Sequence, residues 1–237
     1  MLRINSDSQP SSFMRQIKSF VCRNRKLTSL QQELVDQYYP LWGLPNNRHW
    51  NFEEIFQNNN DVILEIGFGT GETLIKNAVA NPDYNFIGIE VYQAGCLNIL
   101  DYIKQNNITN LRVCNGDAQQ ILLHYVDDKS LAGMQIFFPD PWPKLRHHKR
   151  RLIQSSFVAL LAKKIKPSGF LHLATDWEDY AMHMSATIGA NPDYIPYDQQ
   201  KSNEIAYLAT NKRLLTRFEQ KGLQKGYKIN DLFYKIA

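Results

Sequence analysis

The sequence predicts an α/β domain built on a mostly parallel sheet, with helices on both faces of the sheet. Two observations lead to this prediction: apolar runs of strand length recur along the chain, and segments with helical periodicity separate them. The chain has 237 residues, which is long enough to bury one sizeable core of this class. Ligands of open parallel sheets bind outside the carboxyl ends of the strands, so the functional residues are expected there.

The elements follow one another in a regular order. The predicted strands are apolar runs that close on or near a Gly, Asp or Glu, and they read "DVILEIG", "NFIGIEV", "NLRVCNG", "MQIFFPD" and "GFLHLATD". The predicted helices read "GETLIKNAVA", "YQAGCLNILDYIKQ", "DAQQILLHYV" and "KRRLIQSSFVALLAKKI". The Asn-rich stretch at residues 57–61 is predicted to be the linker into the first strand. Residues 51–237 are expected to form this domain, and residues 1–50 a basic N-terminal extension that is either flexible or ordered.

Composition excludes several classes of protein. Hydrophobic residues at 43% and charged residues at 21% are ordinary for a globular chain, which argues against a disordered or fibrous protein. Three distant cysteines without CxxC spacing argue against a disulfide framework or a zinc site and favour a reducing compartment. We find no run like a signal peptide or a membrane span, so a cytoplasmic protein without a membrane partner is expected. The net charge is only +4, but the positively charged residues cluster at residues 15–26 and 144–151, a distribution that attracts polyanions.

A glycine loop follows the first strand and opens the first helix. Gly67, Gly69 and Gly71 would let backbone N–H groups approach a ligand, although a tight turn packed on the sheet explains the glycines equally well. The dinucleotide pattern GxGxxG would need glycine where Glu72 stands, and Glu65 directly precedes the loop. Carboxylates repel a diphosphate, so the loop disfavours NAD and favours a ligand with a cationic amino acid end.

Acidic residues also end the next two strands. Glu90 closes the second strand, where a carboxylate can accept hydrogen bonds from ribose hydroxyls or can simply be solvated. Asp117 follows the third strand and either accepts a bond from an adenine amino group or caps a helix. Taken alone, Asp117 fits the capping role better.

The fourth strand ends in a proline-rich corner beside a basic run, "FPDPWPKLRHHKRRL". Pro139 and Pro141 restrict the backbone, so Asp140 is expected on a stiff corner where a bound ligand and its acceptor would meet. Trp142 either packs against a base, floors the pocket or belongs to the core. The basic run is interpreted as a phosphate contact, because positive charge at a helix start opposes the helix dipole unless an anion is bound there.

Six segments in order, "EIGFGTG", "GIEV", "NGDA", "FPDPWPKLRHHKRRL", "ATDWEDYAMHM" and "TRFEQKG", closely resemble the motifs of bacterial tRNA (guanine-N7-)-methyltransferases. The resemblance runs from about Ser19 to the C-terminus, and the proline corner with its basic run is its specific part. It implies a Rossmann-like S-adenosylmethionine-dependent methyltransferase fold with a seven-stranded sheet and no metal. It also implies methyl transfer to N7 of guanine 46 in the tRNA variable loop, by a monomer or a homodimer.

The resemblance implies a role for each matching position. Asp140 would be catalytic and would also contact the donor, together with Glu65, Gly67, Gly69, Glu90 and Asp117. The tRNA substrate would be bound by Lys144, Asp176, Thr216, Arg217, Phe218 and Glu219. Further RNA contacts would come from Arg146, His147, His148, Lys149, Arg150 and Arg151. Leu145, Leu214 and Lys221 stand where the family commonly has a basic residue, proline and arginine, which bears on the affinity for tRNA and not on the reaction.

Two other classes of function stay open at the level of sequence. One is a methyltransferase for an exocyclic amino group of a nucleobase or a protein glutamine, because proline-rich corners also serve there. The other is a non-catalytic RNA-binding relative that kept the fold. The acids Glu65, Glu90, Asp117 and Asp140 argue against the second class.

Overall fold

Strands and helices alternate along the chain in the computed structural model. The structure describes residues 18–20, 26–198, 205–210, 219, 226 and 228–237. The strands are β1 (Asp61–Ile66), β2 (Tyr84–Glu90), β3 (Leu111–Asn115), β4 (Leu131–Phe137), β5 (Ile165–Thr175), β6 (Tyr194–Pro196) and β7 (Asn230–Ile236). The helices are α1 (Ser29–Trp42), α2 (Phe52–Phe56), α3 (Glu72–Ala80), α4 (Gln93–Asn106), α5 (Ala118–Tyr125), α6 (Ser155–Lys164), α7 (Glu178–Gly189) and α8 (Ala206–Thr210). A 3₁₀ helix spans Leu145–Arg150.

One seven-stranded sheet has the strand order β3-β2-β1-β4-β5-β7-β6. The first five strands pair in parallel, whereas β7 runs antiparallel to both β5 and β6. The predicted mostly parallel sheet is therefore confirmed. The strand order reverses between β1 and β4, and open sheets of this kind bind ligands at such a reversal.

The two faces of the sheet are both covered, as alternation along β1 shows. Leu64 and Ile66 pack into a core with α5, α6 and α7, while Ile63 packs on the other face against α3, α4 and α8. Successive side chains of a strand point to opposite faces, so a strand buried on both sides reads as a continuous apolar run. This explains why the strand sequences lack an alternating polar pattern. Helices on both faces are confirmed.

The basic run forms a separate element from the helix that follows it. The predicted helix over residues 149–165 is wrong at its start, because the 3₁₀ helix ends at Arg150 and α6 begins at Ser155. Gln154 is the N-cap of α6 in extended conformation. Leaving the positive charges outside α6 avoids their unfavourable interaction with its N-terminus. The predicted linker is confirmed over residues 57–60, since α2 ends at Phe56 and β1 already begins at Asp61.

Part of the described segment over residues 26–50 packs on the domain. Thr28 and Gln31 form a capping box at the start of α1, and Gly43 forms a bridge with Val113 beside the sheet edge. Leu44 and Trp50 are buried in the core. The domain boundary at residue 50 stays a prediction. Within the described ranges, every helix falls short of the length and apolar character that crossing a membrane would require.

Candidate active site

A cleft of about 250 Å³ opens at the carboxyl ends of β1, β2, β3 and β4, where the strand order reverses. Its walls combine apolar side chains with the three carboxylates Glu90, Asp117 and Asp140. The other lining residues are Ser19, Phe20, Ile66, Gly67, Gly69, Ile89, Val91, Tyr92, Gly116, Ala118, Phe137, Phe138, Pro139 and Leu152. Most of the positions predicted to hold a donor therefore meet in one place.

The glycine loop forms one wall of the cleft. Gly67 and Gly69 have φ angles of 75° and 59°, in the left-handed region that disfavours residues with a side chain. A Cβ at either position would meet no atom within 4 Å, so the backbone conformation and not crowding accounts for these glycines. Gly95 of α4 does pack tightly, since its Cβ would lie 2.0 Å from the Gly69 carbonyl oxygen. The loop therefore leaves free space around Gly67 and Gly69, while its backbone packs tightly against α4.

Glu90 organises the loop from the end of β2. One carboxylate oxygen accepts from the Gly69 N–H at 2.8 Å, and the other accepts from the N–H groups of Val91 and Tyr92 at 2.7 and 3.0 Å. A carboxylate offers about four acceptor positions, so these three bonds leave room for about one more. Glu90 is only 5% exposed. The carboxylate therefore mainly holds the loop backbone in place. It has limited hydrogen-bonding capacity left for a ligand hydroxyl.

Glu65 is buried beside the loop and is not one of the residues that line the cleft. Burial, and then the nearby negative charge of Glu90, raise its pKa to about 8. Its Oε2 atom has no hydrogen-bond partner among the described residues, and the same holds for Oε1 of Gln135 on the adjacent strand. A buried carboxyl with an unused oxygen is unfavourable unless a donor or a cation arrives.

Asp117 has the capping role that the sequence favoured, and it lies at the cleft, where a contact to adenine stays a prediction. Its side chain caps α5 by accepting from the Gln119 N–H at 3.0 Å. It also lines the cleft next to Gly116 and Ala118. The cap fixes the orientation of the carboxylate, so this group is held in place before any ligand binds.

The proline-rich corner stores backbone strain. Phe138 and Trp142 have φ angles of 51° and 44°, and each precedes a proline. Left-handed conformations of such bulky residues cost roughly 1–3 kcal/mol each and persist only where the surroundings impose them. Asp140 lies exposed between the two, at the rim of the cleft. Partial desolvation raises the pKa of Asp140, and the positive charge of Arg150 opposes that rise.

Trp142 holds residues 18–20 next to the cleft. Its indole Nε1 donates to the Ser19 carbonyl at 3.0 Å, and the Arg150 guanidinium lies 4.0 Å from the ring centroid. Arg150 also donates to the Lys18 carbonyl at 3.3 Å. Ser19 and Phe20 consequently form part of the cleft wall, which sequence reasoning missed. The start of the family resemblance near Ser19 was the only signal that could have indicated them.

The basic run has an exposed and an inward side. Lys144, Arg146 and Lys149 are exposed, whereas His147, His148 and Arg150 are partly covered. Desolvation and the neighbouring positive charges of Arg146 and Arg150 lower the pKa of His147. In a 3₁₀ helix the residues i and i+3 lie above one another, which explains why Arg146 and Lys149 share the exposed side.

Arg151 departs from the prediction that it contacts RNA. Its side chain is 1% exposed and pairs with Asp179 of α7, and its Nε donates to the Pro141 carbonyl at 2.9 Å. The chain turns inward after the 3₁₀ helix, so this guanidinium lies inside the fold. It is not available to an RNA surface in this structure.

Of the remaining predicted substrate positions, the structure describes Asp176 and Glu219. Asp176 is partly buried and follows β5, the parallel neighbour of β4, so it lies at the same edge of the sheet as Asp140. Glu219 is 3% exposed, and Thr216, Arg217 and Phe218 lie outside the described residues. Helix α7 begins at Glu178, two residues after Asp176. Over the part of the chain that the structure describes, no three metal-ligating side chains come together.

Sequence comparison places the chain among methyltransferases. Residues 59–232 match the profile of a family described as "Putative methyltransferase". A protein of Alkalilimnicola ehrlichii, named tRNA (guanine-N(7)-)-methyltransferase, is 42% identical over 93% of this chain and 93% of its own length. A protein of Nitrosococcus oceani with the same name is 43% identical over 98% of this chain and 96% of its own.

Solved structures share the fold at low sequence identity. The 16S rRNA methyltransferase KamB superposes with a TM-score of 0.53 at 17% identity, covering 78% of this chain and 92% of its own. The [4+2]-cyclase SpnF superposes with a TM-score of 0.52 at 13% identity, covering 87% and 96%. Proteins with such different reactions show that this similarity speaks for the fold alone.

Proposed function

Because this chain belongs to the tRNA (guanine-N(7)-)-methyltransferase family, we propose that it transfers a methyl group from S-adenosylmethionine to N7 of a guanine in tRNA. Guanine 46 of the variable loop is the proposed target, and the cytoplasm, where tRNA is available, the proposed place of action. The observation that carries the proposal is the position of Asp140, which lies at the rim of the cleft, four residues before the basic run that starts with the exposed Lys144.

The cleft suits the proposed donor. Its apolar walls, including Ile89 and Leu152, can enclose an adenine ring, while Asp117 is oriented at the cleft by its cap. Glu90 has about one acceptor position left for a ribose hydroxyl. The unused Oε2 of the buried Glu65 is the observation that fits a cationic amino acid end, because an ammonium nearby would stabilise the ionised carboxyl.

The chemistry needs little acid–base assistance. Bound S-adenosylmethionine supplies a methyl group on a positively charged sulfur. Guanine N7 has an in-plane lone pair and no proton to remove, so the residues of the protein must chiefly align the base and exclude water. Positive charge appears on the purine during transfer, and Asp140 and Asp176 at the same sheet edge can stabilise it electrostatically. Asp140 thus acts by orientation and field and not as an obligatory base.

The exposed part of the basic run provides the RNA contact in this proposal. Lys144, Arg146 and Lys149 point to solvent immediately after the corner, where they can neutralise phosphates near the target base. Arg150 has a second role because it also holds Lys18 and Trp142. The RNA surface and the donor cleft therefore share a wall.

The test is methylation of unmodified tRNA with a labelled donor, followed by mass analysis of the nucleosides and mapping by reductive cleavage. The expected product is N7-methylguanosine at position 46. A methylated exocyclic amino group, or label in protein glutamine, would replace this proposal with another methyltransferase reaction. Donor binding without any transfer to tRNA would contradict the proposed activity as well.

A further inference from the structure

Arg151 joins the proline corner to helix α7. Its Nε donates to the carbonyl of Pro141, the residue after Asp140, at 2.9 Å. Its other end pairs with Asp179, and one terminal nitrogen lies 3.0 Å from Nε2 of His148. The guanidinium also lies 4.9 Å from the ring centroid of Tyr180. A planar group with donors on several sides can hold these partners in one fixed arrangement, which a lysine ammonium cannot do.

The arrangement connects the two carboxylates at the reaction edge. Asp140 lies between Pro139 and Pro141, and α7 begins two residues after Asp176. Each carboxylate is thus one short segment away from an end of the Arg151 bridge. Movement of the corner relative to α7 would change the separation of the carboxylates, and the bridge opposes that movement.

The corner needs such a support because its backbone is strained. The left-handed conformations of Phe138 and Trp142 flank Asp140 on either side. A strained segment relaxes when its surroundings no longer determine it. The bond to the Pro141 carbonyl acts between these two residues, so its loss would release the part of the chain that carries Asp140.

Asp179 contributes by orienting the guanidinium. Its side chain is 55% exposed, so the ion pair alone adds little to stability. The hydrogen bond from Arg151 lowers the pKa of Asp179, which keeps this carboxylate ionised. Asp179, which lies at the protein surface, therefore holds the buried guanidinium in place. The ion pair directs Nε of Arg151 to the corner.

We infer that Arg151, held by Asp179, is a positioning residue that sets where Asp140 stands for methyl transfer; the inference rests on the proposed function. Residues that touch neither donor nor base can still control the rate, since a displacement of about 1 Å can lower it on the order of 100-fold. Loss of the Arg151 bridge should therefore lower the turnover of bound substrates and leave their binding affinities unchanged.

The experiment compares Arg151→Lys and Asp179→Asn with wild type, and uses Arg48→Lys at an exposed position as the matched control. Turnover is measured on unmodified tRNA at saturating donor, with donor binding by calorimetry, tRNA binding by filter retention and unfolding by urea. Arg151→Lys is expected to lower kcat by roughly 10- to 100-fold, while both dissociation constants stay within about twofold, the additivity error of such comparisons. Asp179→Asn is expected to lower kcat less, and Arg48→Lys to leave it unchanged.

A cycle with Asp140→Asn separates positioning from general damage. If Arg151 acts through Asp140, adding Arg151→Lys to Asp140→Asn should lower kcat by less than about twofold more. Unchanged kcat in Arg151→Lys, a loss confined to affinity, or effects that multiply in the double variant would each overturn the inference. If Arg151→Lys does not fold, Asp179→Asn decides in the same way. A wild-type protein that leaves tRNA unmethylated would instead contradict the proposed function.

Discussion

Replacing Glu90 by glutamine tests whether this acid serves the fold, the donor or both. The carboxylate holds three backbone N–H groups, from Gly69 through one oxygen and from Val91 and Tyr92 through the other. Glutamine keeps one oxygen and replaces the second with an amide N–H₂. That group cannot accept from an N–H, so at least one bond to the buried backbone is lost.

The magnitude follows from the bonds that disappear. A hydrogen bond to a charged group contributes about 1.5–3 kcal/mol, so Glu90→Gln should lower the unfolding free energy by at least about that amount even without donor. For a chain of this length the melting temperature changes by about 2–4 °C per kcal/mol, which predicts a decrease of roughly 3–12 °C. The glycine loop would also lose its orientation, so donor affinity should fall with it.

Urea unfolding of the donor-free protein gives the first quantity, and calorimetric titration with S-adenosylmethionine gives the second. Asp83→Asn is the matched control, because it makes the same acid-to-amide change at an exposed residue just before the strand that carries Glu90. Unchanged donor-free stability would refute the view that Glu90 holds the loop, whatever happens to binding. Reduced stability with wild-type donor affinity would instead remove the ribose contact.

Three further variants test the other charged groups. Asp140→Asn should lower kcat by on the order of 100-fold, with tRNA and donor binding retained, because its field acts on the transfer. Glu65→Gln should remove a pH dependence: with a folded-state pKa of about 8 against 4.5, the folded protein keeps a proton that the unfolded chain releases. Wild-type stability is thus highest below that lower value and falls as pH rises towards 8, by up to about 1.4 kcal/mol per pH unit, and the variant should lack this slope in urea unfolding. Lys144→Gln combined with Arg146→Gln should flatten the salt dependence of tRNA binding by roughly 1.4–1.8 log units per log unit of salt, whereas Lys163→Gln on α6 should not.

A different result in each of these three experiments would contradict the corresponding prediction. Full turnover in Asp140→Asn at saturating substrates removes that carboxylate from the reaction. A pH slope that survives in Glu65→Gln must come from another buried group. An unchanged salt slope in the double variant at Lys144 and Arg146 would move the RNA path away from the 3₁₀ helix.

The sequence was sufficient for the architecture of the parallel half of the sheet. Strands buried on both faces must be apolar throughout, and the segments between them must show helical periodicity, so both signals are local. The family resemblance implied seven strands, but no local pattern located the antiparallel strands β6 and β7. A strand of three residues such as Tyr194–Pro196 carries too short a pattern, and it is defined by pairing with a distant segment.

The site could be predicted in part for the same reason. Glu90, Asp117 and Asp140 each follow a strand, and parallel topology brings strand ends to one edge, so their meeting in the cleft follows from local signals. Ser19 and Phe20 could not be found in this way, since Trp142 holds them across more than a hundred residues.

Local sequence patterns are therefore enough to identify the chemical groups of the site and the strand ends on which they lie. The direction in which each group faces depends on the packing of the folded chain: Arg146 faces solvent, Arg151 faces into the fold towards Pro141 and Asp179, and Glu65 is buried beside the glycine loop. Neighbouring basic residues look alike in a sequence because their charge is the same. Their burial differs because the chain turns after the 3₁₀ helix, and the partners that make a buried guanidinium acceptable come from another strand end and another helix.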